Sequence, residues 1–176
     1  MAFFVTTACL RATMFVFLAI CLGLTGSLIA GQENAKSQVN FMMFASVWGL
    51  LFACIYGALA LFISGLAFPI ILAAIDFLTT VFSFAAATAL AVAIRVHACT
   101  NTAYLDANSV AEGSKDRCRQ AQADTVFMYF AFLAALASTI FSVAAGFRGG
   151  WGTIPSRMSP APAPASSVSA PHMTQV

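Results

Sequence analysis

The sequence predicts an all-α protein in which four transmembrane helices form a bundle. Three observations indicate it: 61% of the 176 residues are hydrophobic, only 8% are charged, and the apolar residues gather in four stretches long enough to cross a bilayer. A soluble domain carries about a quarter charged residues, so this composition favours lipid as the solvent. The net charge of +2 and the lack of a basic run argue against nucleic acid as a partner.

The four stretches define a membrane domain, residues 1–150, and a tail, residues 151–176. The predicted spans are 12–30, 41–63, 69–94 and 125–146. The tail is rich in Pro, Ala and Ser and has too little apolar surface to fold, so it is predicted to be a disordered cytoplasmic segment. Ser64–Phe68 is predicted to be a tight turn closed by Pro69, which makes spans two and three an antiparallel hairpin.

The first span has an alternative interpretation as a secretory signal peptide. Arg11 would supply the positive charge that precedes such a segment, and Ser27–Ala30 is faintly similar to a cleavage site. The apolar stretch is longer than the core of a usual signal peptide, and its removal would place the two termini on opposite sides of the membrane. We therefore expect the span to be retained, with Arg11 just outside it.

Charge and cysteine patterns disagree about which side of the membrane holds the termini. Basic residues near the spans are more numerous in loops one and three (Lys36, Arg95, Lys115, Arg117 and Arg119) than on the side of the termini (Arg11, Arg148 and Arg157), which by itself places the termini outside. A disulfide between Cys99 and Cys118 would require an oxidising compartment around loop three, and its loop closure would contribute about 3 kcal/mol. Two free thiols are the alternative. We favour the disulfide, and with it cytoplasmic termini.

Small residues at helical spacing predict how the spans pack, because helices in lipid associate where their backbones can approach closely. We expect each span to turn one small-residue face into the bundle and to leave bulky residues such as Phe15 and Phe62 for lipid or a neighbouring subunit. The small faces are Ala19, Gly23, Ser27 and Ala30 in span one; Ser46, Gly49, Ala53, Gly57, Ala60 and Ser64 in span two; Ala73, Asp76, Thr80, Ser83, Ala87 and Ala91 in span three; and Ala131, Ala135, Ser138, Ser142 and Ala145 in span four.

Asp76 is the one charged residue predicted at membrane depth, which makes it a candidate functional site. It lies about 10 Å below the turn, Tyr56 reaches a similar depth from span two, and Thr80 follows one turn later. One interpretation is a structural clasp, with Asp76 either protonated or satisfied by the hydroxyls of Tyr56, Ser138 or Ser142. A proton or ion relay and a contact with lipid head groups or a partner are the others. We expect a clasp to tolerate Asp76→Asn and a relay to lose its activity.

The entrance to the fourth span is predicted from Asp124, which would cap the helix N-terminus. Arg117 and Arg119 precede it in the polar loop. They are expected to be solvated, with contact to anionic head groups as the alternative.

Other candidate sites have weaker support. Cys9 lies just before the predicted first span and is a candidate for palmitoylation, with an idle thiol as the alternative. His97 and His172 are not spaced with further ligands, so no metal site is predicted. No phosphate-binding loop, catalytic triad or carboxylate pair is visible, so the sequence predicts neither an enzyme nor a cofactor.

Several segments are similar to those of a known family. They are Phe68–Pro69 with Asp76–Leu78, Ala91–Cys99, Tyr104–Asp106, Gly113–Gln122 and the terminal Gln175–Val176. With them the chain resembles the fungal non-classical export proteins, tetraspan membrane proteins of the MARVEL-domain type. The segment Arg95–Gln122 is the specific part of the resemblance, because it is polar and membrane composition does not explain it.

The resemblance implies a MARVEL-like four-helix bundle with cytoplasmic termini in the fungal plasma membrane. It implies a structural organiser of furrow-like, eisosome-associated membrane domains, with no enzymatic activity and a family name that points to protein export. Expected partners are sphingolipid and sterol, further copies of the chain, and other plasma-membrane or eisosome proteins. The alternative function is a small transporter or channel, or an accessory subunit of one, that uses Asp76.

Overall fold

The computed structural model describes residues 2–32, 34–63, 68–95 and 97–149, and most of them are helical. The elements are α1 (Ala2–Ala30), α2 (Ser37–Trp48), a π-helical segment (Gly49–Tyr56), α3 (Gly57–Phe62), α4 (Pro69–Ile94), α5 (Thr102–Ala107) and α6 (Lys115–Gly149). Four stretches are long and apolar enough to cross a membrane: Val5–Ala30, Ser37–Ala60, Ile70–Ile94 and Lys115–Phe147. The all-α prediction with four spans is confirmed. The predicted tail, 151–176, lies outside the described residues.

Two helices begin about ten residues before the predicted spans. α1 starts at Ala2 because the residues that precede Arg11 are themselves apolar and continue the same helix. α6 starts at Lys115 because the polar segment before Asp124 is rich in Lys, Arg, Gln and Ala, which favour helix. Arg11 and Asp124 therefore lie inside helices, and the prediction that Asp124 caps the fourth span was wrong.

The second span changes its hydrogen bonding along its length. α2, the π-helical segment and α3 follow without a break, and the π-helical segment begins at Gly49 and ends just before Gly57. π-helical turns are rare and are frequent at functional sites. The next span begins as predicted, with Phe68 at the N-cap and Pro69 in the first turn of α4. Residues 64–67 of the predicted turn lie outside the described residues.

The spans form a ring in which α1 and α4 each pack between the second span and α6. The small faces of spans two, three and four point inward, with Gly49, Ala53, Ala87 and Ala131 all buried. Large side chains of α1 fill the space that these faces leave. At Gly49, for example, a Cβ atom would lie 2.6 Å from Cδ1 of Leu18. Leu18 fits at this position because Gly49 has no side chain.

α1 is the exception to the predicted packing. Its small residues Ala19, Gly23, Ser27 and Ala30 are exposed, and its buried face instead carries Met14, Leu18, Cys21, Thr25 and Leu28. The expectation that this small face packs inside the bundle was wrong. The second span and α6, which pack against α1, already have small residues on their inward faces. Bulky residues of α1 fill the space between these faces better than further small residues would.

Candidate functional site

Asp76 forms a buried ion pair with Arg11 inside the membrane-spanning part of the bundle. Asp76 is 1% exposed and Arg11 is 4% exposed. The guanidinium meets the carboxylate with two nitrogens, Nη1 3.3 Å from Oδ1 and Nη2 3.2 Å from Oδ2, the two-pronged geometry that suits arginine and carboxylate. Ser138 and Ser142 of α6 donate to Oδ2 at 3.0 and 2.8 Å. The cluster therefore joins α1, α4 and α6.

Arg11 is the partner that sequence reasoning placed outside the membrane. It lies six residues after Val5, where the first apolar stretch begins, and Asp76 lies six residues after Ile70, where the third begins. A rise of 1.5 Å per residue places both about 9 Å inside their spans. The expectation that Asp76 is the one charge at membrane depth was therefore wrong. The apolar residues that precede Arg11 in the sequence could have indicated that the first span begins before it.

Tyr56 and Thr80, the other two residues of the predicted polar site, lie on the second span and on α4. Tyr56 is half-buried at the end of the π-helical segment, and its hydrogen bond to Asp76 stays a prediction. Thr80 donates to the main-chain carbonyl of Asp76 at 2.8 Å, and its hydroxyl lies 3.0 Å from that of Thr139 on α6. Thr80 thus supports the contact between α4 and α6 beside the carboxylate.

The second span provides the remaining contacts of the Arg11 side chain. Nη1 of Arg11 also donates to the main-chain carbonyl of Ala53 in the π-helical segment. Gly57, one turn further on, lies directly against the guanidinium, and a Cβ atom there would overlap it. Ala53 and Gly57 were predicted as positions where helices pack. In the structure they are the positions at which the second span contacts the Arg11 guanidinium.

An apolar groove lies beside Arg11, between α1 and the second span, with a volume of about 680 Å³. Among the described residues of its wall, Arg11 is the one with a charged side chain. Its Nε atom is buried and has no hydrogen-bond partner in the part of the chain that the structure describes. The other lining residues that the structure describes are Ala8, Ala12, Phe15, Val16, Cys54, Ile55, Ala58, Leu59 and Phe62.

A second buried acid, Asp124, lies toward the opposite end of the spans. Its Oδ2 accepts a hydrogen bond from Thr25 of α1 at 2.7 Å, and its main-chain carbonyl accepts one from the Cys21 thiol at 3.7 Å. Asp124 is fully buried, and its Oδ1 has no partner among the described residues. Asp124 therefore fastens α1 to α6 at this end of the spans.

Loop three folds into a small cap on the end of the bundle. A disulfide joins Cys99 at the start of the loop to Cys118 in the first turn of α6, and Leu105 packs beside it. The side chain of Asn108 accepts from the main-chain N–H groups two and three residues further on and donates to the carbonyl of Ala93. The loop thereby satisfies main-chain groups at the end of α4.

Arg117 belongs to this cap and was expected to be solvated. It is half-buried and donates to the carbonyl of Leu28 at 3.3 Å, in the last turn of α1. It also pairs with Glu112 at 3.1 Å, and Glu112 pairs in turn with Lys36 of loop one at 3.6 Å. Arg117 therefore ties loops one and three to the end of α1, whereas Arg119 is exposed as expected.

The remaining candidate residues form no further cluster in the described part of the chain. Cys9 lies within α1 rather than before it and is exposed; its palmitoylation stays a prediction. His97 is exposed and its ring contacts that of Tyr104, and His172 lies outside the described residues. Among those residues no three His, Cys, Asp or Glu side chains gather in a way that could hold a metal ion.

Comparisons with known proteins match the chain to one family and to several fungal relatives. Residues 3–141 match MARVEL, the membrane-associating domain. The chain is 50% identical to non-classical export protein 102 of Candida albicans over 95% of each chain. It is 47% identical to non-classical export protein 2 of Saccharomyces cerevisiae over 76% of this chain and 78% of the relative. No solved structure matches it.

Proposed function

The chain belongs to the MARVEL family of membrane-associating proteins and, within it, to the fungal non-classical export proteins; on that basis we propose that it is a structural organiser of plasma-membrane domains. In this role copies of the bundle associate laterally and gather a sphingolipid- and sterol-rich environment in eisosome-associated furrows. The names of the relatives support a link to non-classical protein export. None of the relatives compared above has an enzyme's name, and the proposed role is non-enzymatic.

The outward small-residue face of α1 is the observation that carries this proposal. Ala19, Gly23 and Ser27 follow one another at steps of four and are exposed, and a Cβ atom at Gly23 or Gly26 would have nothing within 4 Å. Small residues at this spacing let two helices approach closely in lipid. A second copy of the chain that packs here would extend the bundle sideways and assemble a domain.

The proposed orientation places both termini in the cytoplasm. Its support is the disulfide between Cys99 and Cys118, because disulfides persist on the oxidising side of a membrane. Four spans return the chain to the side from which it started, so the loop-three cap and the termini are on opposite sides. The plasma membrane is the proposed location, in line with the expected furrow domains.

The alternative function, a small transporter or channel, receives less support. Asp76 is 1% exposed, and both of its carboxylate oxygens are engaged by Arg11 and the α6 serines. A group that carries an ion or proton must change partners during its cycle, whereas this carboxylate of α4 is held by α1 and α6 at once. The arrangement favours a structural clasp, which supports the organiser.

Self-association in a bilayer is the direct test. The full-length protein, reconstituted into vesicles of phosphatidylcholine, a sphingolipid and a sterol, is expected to form oligomers in single-molecule photobleaching and to concentrate in patches. Gly23→Leu should leave single copies spread evenly, because the larger side chain keeps the helices apart. Ala74→Leu is the matched control, since Ala74 is exposed on α4, and it should behave as the wild type.

Two results would count against the organiser. A wild-type protein that is monomeric and evenly distributed at all surface densities would contradict it. Equal loss of association in Gly23→Leu and Ala74→Leu would contradict the assignment of the interface to α1.

A further inference from the structure

We propose that the groove between α1 and the second span is a lipid site, in which one ester-linked acyl chain of a glycerophospholipid lies with its carbonyl oxygen at Arg11. The inference deepens the proposed function and rests on it only for the placement of the bundle in a bilayer. Self-association uses the outward face of α1 around Gly23, whereas the groove lies at Ala12 and Ala58, so the two proposals can fail separately.

The size and the lining of the groove suit an extended apolar chain. Its wall on α1 extends from Ala8 to Val16, which is about 12 Å of helix. Its volume is about 680 Å³, and its described lining has one charged side chain among apolar residues. An extended hydrocarbon chain needs no polar partners along such a wall, so it suits the groove.

The depth of Arg11 matches the level of lipid carbonyl groups. The first apolar stretch, Val5–Ala30, has 26 residues and is about 39 Å long, close to the thickness of a bilayer with its interfacial regions. Arg11, about 9 Å from the end of this stretch, therefore lies just inside the hydrocarbon boundary. A chain that enters the groove from the adjacent leaflet brings its ester group close to this level.

The charge of the site selects a neutral acceptor. Arg11 is neutralised by Asp76 at 3.2 Å, so a lipid phosphate would have to compete with a carboxylate that is already in place. One donor is left over, because Nε is buried and has no partner among the described residues. A carbonyl oxygen, reached by a small shift of the Arg11 side chain, would satisfy it.

The lining also distinguishes an ester from other lipid groups. Arginine offers only donors, and the other lining residues described for the groove are apolar apart from the thiol of Cys54, which already donates to the main-chain carbonyl of Arg11. A sterol hydroxyl or a sphingolipid amide would bring a donor of its own that finds no acceptor in this wall. An ester carbonyl is acceptor-only and complements Nε without leaving a proton unpaired.

Photo-crosslinking in vesicles tests the site. The full-length protein is reconstituted in diester or in diether phosphatidylcholine of the same chain length, each with a trace of diester phosphatidylcholine that carries a diazirine in its acyl chain. Labelling is expected to concentrate on Ala8–Val16 and Cys54–Phe62. It should be roughly fivefold stronger in the diether vesicles, where the bulk lipid lacks carbonyl oxygens, a ratio that corresponds to one net hydrogen bond.

Matched variants locate the signal. Ala12→Phe fills the groove from an exposed lining position and should reduce the labelling several-fold, whereas Ala74→Phe, exposed on α4, should leave it unchanged. Even labelling of all four spans, equal labelling in the two vesicle types, or an unaffected Ala12→Phe variant would overturn the proposal. So would displacement of the probe by a sterol or a sphingolipid in preference to phosphatidylcholine, or a crosslink between two copies at the groove.

Discussion

The guanidinium of Arg11 and the carboxylate of Asp76 meet in a two-pronged ion pair, 65 residues apart in the chain and 3.2–3.3 Å apart in space. Each charge would be costly alone at this depth, and together they form a neutral unit with every carboxylate oxygen engaged. The pair fixes the register of α1 against α4. With the serines of α6 and the carbonyl of Ala53, it connects all four spans.

Removal of one charge of this pair is expected to be severe. Asp76→Asn leaves the Arg11 cation buried without its counter-ion, and breaking a buried pair in this way costs about 3–5 kcal/mol. The sequence alone suggested that a clasp would tolerate this isosteric change, but that expectation did not include Arg11. Thermal unfolding in mild detergent, followed by intrinsic fluorescence, should show a large fall in midpoint.

The double variant Arg11→Met/Asp76→Asn is the control for that prediction. It removes both charges, so it is expected to recover much of the loss, because a buried pair replaced as a whole is often neutral for stability. The coupling free energy from the four proteins measures the interaction. An Asp76→Asn protein as stable as the wild type, or a double variant no better than Asp76→Asn, would contradict the clasp.

Gly57 is expected to be intolerant of the smallest substitution. Gly57→Ala places a methyl group where the Arg11 guanidinium lies, so the arginine must move away from Ala53 or Asp76. We expect a destabilisation of about 1–3 kcal/mol, the usual cost of overpacking. Gly26→Ala is the matched helical control, since nothing lies within 4 Å of its Cβ position, and it should be neutral or slightly stabilising. Equal effects of the two substitutions would refute the close contact.

Arg117 and Arg119 should differ sharply although they are two residues apart. Arg117→Gln removes the donor to Leu28 and the ion pair with Glu112, leaving a half-buried carboxylate beside Lys36 alone. Charge-assisted hydrogen bonds of this kind contribute about 1.5–3 kcal/mol, so the unfolding midpoint should fall. Arg119→Gln changes an exposed side chain and should change the midpoint little; a similar loss in both variants would argue against the cap.

The Cys99–Cys118 disulfide is expected to protect loop three. Its reduction, or Cys99→Ser/Cys118→Ser, should lower the free energy of unfolding by about 3 kcal/mol through the loop that it closes. Maleimide labelling of intact cells gives the second measurement: these two cysteines should react only after reduction, and from the outside. Cys9→Ser is the control and should leave stability unchanged. Labelling of Cys99 and Cys118 without reduction would contradict the pairing in the cell.

The sequence by itself determined the fold class, the number of spans and the family. Apolar stretches of membrane length are local properties of the chain, and the polar segment Arg95–Gln122 is distinctive enough to carry the family resemblance. The inward faces of spans two, three and four also followed from local spacing. Small residues such as Gly49, Ala53 and Gly57, spaced along one side of a helix, indicate where a neighbouring helix can pack closely.

Only the tertiary structure decided what Arg11, Asp124 and the small face of α1 do. A positive charge near an apolar stretch normally marks the membrane surface, and only a partner on another helix explains why Arg11 is buried. Asp124 is held by a hydrogen bond from Thr25 on α1. Gly23 faces outward because the bulky residues on the opposite face of α1 pack against the neighbouring helices. These contacts join residues distant in the chain, so spacing along one helix does not specify them.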